Sequence, residues 1–106
     1  MNKLLLLLFT TLTFSNSYND ALIAFESKKY KSALDAISKI IQNDKGNHKT
    51  FYLASKIYYA VGDLDNANSN IIRAIETKND SEEYRDYQKK LENLKVNLKS
   101  AQKTFD

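Results

Sequence analysis

Apolar residues recur at intervals of three and four positions along most of this chain, which is the period of an α-helix. Clusters of polar, turn-forming residues interrupt the pattern at 28–29, 43–47, 62–63 and 79–81. Together they predict helices near residues 18–27, 31–43, 48–61, 64–77 and 81–103. The chain has only 2 glycines and no proline. These are too few turn residues for a fold of many β-hairpins, so we expect an all-α protein.

A shift of 34 positions brings the first predicted pair of helices into register with the second. Pairs of identical residues then coincide: Tyr18 with Tyr52, Ile23 with Ile57, Ala33 with Ala67, Ile37 with Ile71 and Ile41 with Ile75. A unit of this length that forms one helical hairpin cannot bury its apolar face alone. The period therefore predicts hairpins that stack on one another, as in helical repeat proteins.

Both units carry the same motif at the start of their second helix. It reads Tyr30, Ala33 and Ile37 in the first unit, and Leu64, Ala67 and Ile71 in the second. In this spacing, and in Gly62 at the internal turn of the second unit, the chain resembles the tetratricopeptide repeat family over about residues 18–80. The resemblance implies an α–α superhelix of two such hairpins, with repeats at about 18–47 and 48–80. It also implies a concave groove that binds a peptide or a partner protein.

The sequence departs from that family in two places. Lys28 stands where the first unit would have its turn glycine, and Lys45 and Asn79 stand where the family often has proline. Small residues at Ala33 and Ala67 are still the type that a close crossing of two helices requires. The departures therefore affect the predicted boundaries more than the predicted fold.

The last segment has a heptad pattern. Its apolar residues alternate in spacing between three and four: Tyr84, Tyr87, Leu91, Leu94, Leu98, Ala101 and Phe105. One interpretation is a capping helix, at 81–103, that covers the second hairpin. The other is a coiled coil that forms a homodimer, although a parallel pair would set Lys90 against Lys95 of its partner. We favour the cap; a truncated third repeat is a further alternative.

An apolar segment opens the chain. Lys3 is the only charged residue among residues 1–17, and an apolar run of about 11 residues is followed by Ser15 and Ser17. The run is shorter than the roughly 20 residues that span a bilayer. Residues 1–17 are therefore predicted to be a cleaved signal peptide, which leaves residues 18–106 as the domain and no stable membrane span. An exported protein, periplasmic or secreted, is expected; an uncleaved anchor and a buried first helix are the alternatives.

The first helices of stacked hairpins line the concave side of such a repeat. The resemblance places there the following residues of this chain: Leu22, Phe25, Lys49, Tyr52, Lys56, Tyr59, Tyr87 and Lys90. Tyr52 and Tyr59, like Lys49 and Lys56, are two helical turns apart, so they form adjoining stripes on one helix face. Tyrosines beside cations suit a peptide of acidic character. Alternatively, the tyrosines pack against neighbouring helices and the lysines keep the surface soluble.

The sequence has few residues of the types that catalyse reactions. There is no cysteine, His48 is the only histidine, and Gly46 and Gly62 are too far apart for a phosphate-binding loop. A net charge of +3, spread along the chain, does not indicate a nucleic-acid partner. We therefore expect a non-catalytic scaffold or adaptor without cofactor or metal. The alternative is a structural protein that self-associates through its heptad helix.

Overall fold

A computed structural model describes residues 17–43 and 46–105, with side chains from 18 to 43 and from 46 to 100. The described residues form α-helices and no strands: α1 Ser17–Glu26, α2 Tyr30–Gln42, α3 His48–Ala60, α4 Leu64–Thr77 and α5 Glu82–Phe105. The all-α fold class is confirmed. The predicted signal peptide, apart from Ser17, lies outside the described residues. None of the described helices is both long and apolar enough to cross a membrane.

The helix bounds follow the predicted ones within one or two residues. The capping residues that help to set these bounds are close in the sequence to the helix ends. The Asn47 side chain accepts a hydrogen bond from the Thr50 backbone at the start of α3. Asp63 caps α4 in the same way, and the Ser81 hydroxyl accepts the Tyr84 N–H at 3.3 Å at the start of α5. Helices α3, α4 and α5 thus each begin at a capping side chain.

The turns inside the two hairpins have the same backbone hydrogen bonds, 34 residues apart. In the first turn Lys28 N–H donates to Phe25 O and Lys29 N–H donates to Ala24 O. In the second turn Gly62 N–H donates to Tyr59 O and Asp63 N–H donates to Tyr58 O. This pair of bonds is the Schellman arrangement that ends a helix. Each turn then leads into a helix that begins at an equivalent residue, Tyr30 or Leu64.

The chain divides into two compact units between Lys45 and Gly46. In the first unit α1 packs against α2, and Ala21, Ala33 and Ile37 are fully buried. The ring of Phe25 lies 6.0 Å from the ring of Tyr30 across the turn between the two helices. The hairpin thus closes on small and aliphatic side chains, as the motif predicts.

Ile23 is an apolar residue that the first hairpin leaves exposed. Its side chain is 60% exposed, whereas its repeat equivalent Ile57 is fully buried. Among the described residues of the first unit α1 packs against α2, whereas in the second unit α3 contacts both α4 and α5.

In the second unit α3 and α4 cross closely at Ala67. This alanine is fully buried, and the buried Ser55 hydroxyl of α3 donates a hydrogen bond to the Ala67 carbonyl at 2.6 Å. A larger side chain at residue 67 would push the two backbones apart. The predicted burial of Ala33 and Ala67 is therefore confirmed.

Helix α5 packs on α4 and covers the second hairpin. Tyr84 and Leu91 from its heptad pattern are buried, and Lys95 Nζ lies 2.9 Å from Asp65 Oδ1 in the first turn of α4. The two helices are therefore antiparallel, and the turns of α5 after Lys95 extend past the start of α4. The helix continues without a break to Phe105, so it lacks the turn that a truncated third hairpin would need.

Candidate partner-binding site

Tyrosine rings from α3 and α5 form a contact cluster in the second unit. The ring centroid of Tyr52 lies 4.6 Å from that of Tyr84 and 5.4 Å from that of Tyr87, the latter edge to face. Such pairs stabilise a contact by about 0.5–1.5 kcal/mol beyond the area they bury. Tyr52 and Tyr87 are half-buried, whereas Tyr84 is buried. The cluster therefore joins α5 to α3 and leaves part of two rings at the surface.

Lysine ammonium groups cover the rings at this surface. Lys56 Nζ lies 4.4 Å from the centre of the Tyr52 ring, and Lys90 Nζ lies 5.4 Å from that of Tyr59 and 5.9 Å from that of Tyr87. These distances are within the range of cation–π attraction. We call the surface made by these five residues the tyrosine–lysine face.

Two tyrosine hydroxyl groups at the edge of the cluster have polar partners. The Tyr52 hydroxyl donates to Glu83 Oε2 at 3.2 Å, and the Tyr84 hydroxyl lies 2.7 Å from His48 Nδ1. Burial, and after it the negative charge of Glu83, raises the pKa of Tyr52 to about 12. The Tyr52 hydroxyl keeps its proton at neutral pH and donates it to Glu83, which fixes the ring that lies under Lys56.

The hydroxyl of Tyr87 is different. Its oxygen is buried without a hydrogen-bond partner among the described residues. The Ser55 hydroxyl is close enough to lower the pKa of Tyr87, and its own proton is donated to Ala67 O. Burial and, after it, the neighbouring Tyr59 raise the pKa of Tyr87 to about 12. Tyr87 therefore contributes its ring, rather than its hydroxyl, to the packing of α5.

The structure brings together five of the eight predicted groove residues, namely Tyr52, Lys56, Tyr59, Tyr87 and Lys90. Lys49 is exposed on α3, one turn before Tyr52. Leu22 and Phe25 are half-buried on α1, in the first unit. That they share a groove with the residues of the second unit stays a prediction.

Sequence reasoning did not assign three contributors to this site. These are His48 at the N-terminus of α3, Glu83 in the first turn of α5, and Tyr84 of the heptad pattern. The hydrogen bond between His48 and Tyr84 joins residues 36 positions apart. No local spacing indicates such a contact; it follows from the packing of α5.

The part of the chain with described side chains contains no cluster of three or more histidine, cysteine or acidic residues that could hold a metal ion. The acidic turn at Asp63 instead forms a cap, since Asp63 accepts hydrogen bonds from the backbone and side-chain amides of Asn66.

No protein-family model matches this chain, and no solved structure gives a significant match to it.

Proposed function

We propose that this chain is an exported, non-catalytic interaction module, a scaffold or adaptor of tetratricopeptide-like build that binds a peptide or a partner protein. The tyrosine–lysine face carries the proposal. Its tyrosine rings are held in place by contacts with α5, yet remain partly exposed, and two lysines extend over them. Anchored aromatic rings with a polar end are the residues that contribute most to protein interfaces.

The equivalent turns of the two hairpins support the repeat architecture in this proposal. Their backbone hydrogen bonds correspond one to one at an interval of 34 residues, and so do the buried residues Ala33 and Ala67. Each unit thus contains a helical hairpin of the kind that the proposed tetratricopeptide-like build requires.

Export is part of the proposal because of the sequence at residues 1–17. The mass of the mature chain, purified from the envelope and the medium of its native cells, tests it. Cleavage predicts a chain that begins at Tyr18. A chain that retains the apolar segment, or that is found only with cytoplasmic proteins, would contradict this part of the proposal.

Affinity capture from the native cell envelope tests the binding function. Alanine at Tyr52 would weaken the packing of α5 as well as any binding, so the lysines are the better positions to change. We expect the chain to retain a partner that is lost with Lys56→Ala combined with Lys90→Ala. The matched control, Lys31→Ala combined with Lys78→Ala, changes two exposed lysines that are not part of this face and should keep the partner. A set of captured proteins that is the same for all three chains would refute the proposed function.

A second candidate function is self-association through the end of α5. It is favoured by two exposed apolar side chains beyond the contact with α4, Val96 at 60% and Leu98 at 58%. Leu91 is only 2% exposed because it packs within its own unit, so the complete heptad pattern is not free to form a coiled coil. The mass of the chain in solution tests this function. A dimer that Leu98→Asp converts to a monomer supports self-association, and a monomer over a wide range of concentrations excludes it.

A further inference from the structure

We infer that the segment bound at the tyrosine–lysine face is an acidic peptide of a partner protein, with carboxylates placed against the ammonium groups of Lys56 and Lys90. This inference rests on the proposed function and adds the chemistry of the partner. It is carried by the distribution of charge around the face.

Helix α3 supplies only positive charge to this surface. Its thirteen residues include Lys49 and Lys56 but neither aspartate nor glutamate. Lys49, Tyr52, Lys56 and Tyr59 follow one another at the three- and four-residue spacing of a single helix face. A peptide lying along α3 would therefore meet one cation before Tyr52 and a second between Tyr52 and Tyr59.

The lysines of the face have no carboxylate partner. The ion pairs among the described side chains are Lys78 with Asp80 and Lys95 with Asp65, both elsewhere. Lys56 and Lys90 instead lie over tyrosine rings, which occupy one side of each ammonium group. An ammonium carries three hydrogen-bond donors. The side turned away from the ring can therefore bind an anion from outside the chain.

Helix α5 contributes acids to the same region. Glu83 accepts the hydrogen bond from Tyr52, and Asp86 lies one helical turn before Lys90. These two acids are outnumbered by Lys56 and Lys90 of the face together with Lys49 beside it, so the surface remains positive. Glu83 also holds the Tyr52 ring under Lys56, which makes it a positioning residue for the face.

The tyrosine rings add apolar area between the two cations. Lys56 lies on Tyr52, Tyr52 lies against Tyr87, and Tyr87 lies beneath Lys90. A peptide that fits this row has acidic side chains with apolar side chains between them. The rings also displace water from the ammonium groups, and a drier environment strengthens attraction to a carboxylate.

Fluorescence anisotropy with labelled peptides tests the inference on the full chain. The probe is a ten-residue peptide of alternating glutamate and leucine, compared with a peptide in which every glutamate is replaced by glutamine. We expect the glutamate peptide to bind at least ten times more tightly. Lys56→Gln combined with Lys90→Gln should reduce that binding at least tenfold. The control pair Lys31→Gln and Lys78→Gln, with the same net charge, should change it less than twofold.

Three outcomes would overturn the inference. Equal binding of the two peptides would show that the face does not select acidic side chains. If the variant with both Lys56 and Lys90 replaced then bound neither peptide, the proposed binding function would still stand. An equal loss in the control pair would show that net charge alone attracts the probe. Absence of binding by the glutamate peptide would also exclude an acidic segment of this kind. The proposed function would then be judged by the capture experiment alone.

Discussion

Lys28 and Gly62 lie one 34-residue period apart and share the left-handed backbone conformation, with φ of 63° and 85°. Each ends the first helix of its hairpin with the same backbone hydrogen bonds. Glycine adopts this conformation without steric cost, whereas a residue with a Cβ atom is strained by about 1–2 kcal/mol. The first hairpin thus makes with a lysine the turn that the second makes with a glycine.

Replacement of Lys28 by glycine should therefore stabilise the chain. We expect Lys28→Gly to raise the free energy of unfolding by about 1 kcal/mol, and Gly62→Ala to lower it by about the same amount. An added Cβ at Gly62 would meet no atom within 4 Å, so its effect comes from the backbone alone. Urea unfolding measures both changes. If Lys28→Gly destabilises the chain as Lys31→Gly inside α2 should, the turn does not have this conformation in solution.

Removal of the buried Tyr87 hydroxyl should not weaken the fold. A buried polar group without a partner costs about 1–3 kcal/mol, so we expect Tyr87→Phe to leave the free energy of unfolding unchanged or to raise it. Tyr52→Phe is the matched control. It removes the hydrogen bond to Glu83 and should lower stability by about 0.5–1 kcal/mol. A loss for Tyr87→Phe larger than that of the control would mean that the Tyr87 hydroxyl is satisfied in solution.

The two tyrosines should make the fold sensitive to alkali. Their pKa rises from the ordinary 10 to about 12 in the folded chain, so the fold favours the neutral form. The unfolded chain therefore loses these protons first as the pH increases. Stability from this source is complete below pH 10 and is lost as the pH rises from 10 through 12. Urea unfolding across that pH range measures the loss. In a chain that combines Tyr52→Phe with Tyr87→Phe, the free energy of unfolding should depend less steeply on pH. An unchanged slope would contradict the raised pKa values.

The ion pair between Asp65 and Lys95 should be visible in an acid titration. The hydrogen bond and positive charge of Lys95, with a smaller effect of Lys99, lower the pKa of Asp65. Stability from this pair is present above the ordinary range of an aspartate and is lost as the pH falls through the lowered pKa. Asp65 is exposed and Lys95 is partly exposed, so the gain in stability is small and decreases with salt. NMR titration of the Asp65 carboxyl should show the pKa returning to its ordinary value with Lys95→Gln and staying low with Lys78→Gln.

A charged side chain should destabilise the chain strongly at residue 91 and hardly at all at residue 98. Leu91 of α5 is 2% exposed, whereas Leu98 of the same helix is 58% exposed. Leu91→Asp would bury a charge without a partner, so we expect a loss of more than 3 kcal/mol or unfolding of α5. Leu98→Asp should change the stability of a monomer by less than about 0.5 kcal/mol. Circular dichroism during urea unfolding compares them. Equal losses would mean that α5 does not pack on α4 as described.

The helices could be predicted closely because their signals are local. Asp63 and Ser81 cap helices through their own side chains, and Gly62 adopts the conformation that its residue type allows. The burial of individual side chains was harder to predict from the sequence. Ile23 and Ile57 are the same residue at the same repeat position, yet one is exposed and the other buried. Burial depends on how many helices surround a position, which the repeat pattern does not contain.

The candidate site could be predicted only where local spacing determines it. Tyr52 and Lys56 could be placed on one face of α3 from their spacing alone. The ring contacts that Tyr52 makes with Tyr84 and Tyr87 required the docking of α5, and the heptad pattern offered two ways to satisfy its apolar residues. The fold shows Leu91 buried within its own unit, a contact that the pattern alone does not select.

The hydrogen bond from Ser55 to the Ala67 carbonyl has no counterpart in the first hairpin, where the residue equivalent to Ser55 is Ala21. Apolar packing therefore sets the position of α1 along α2. Such packing is not directional, because methyl groups can shift by a fraction of an ångström at little cost in energy. In the second hairpin the directed bond sets the position of α3 along α4. Amide protons of the first hairpin should consequently exchange with deuterium sooner than those of the second, so the two halves of this short repeat differ in rigidity despite a shared backbone plan.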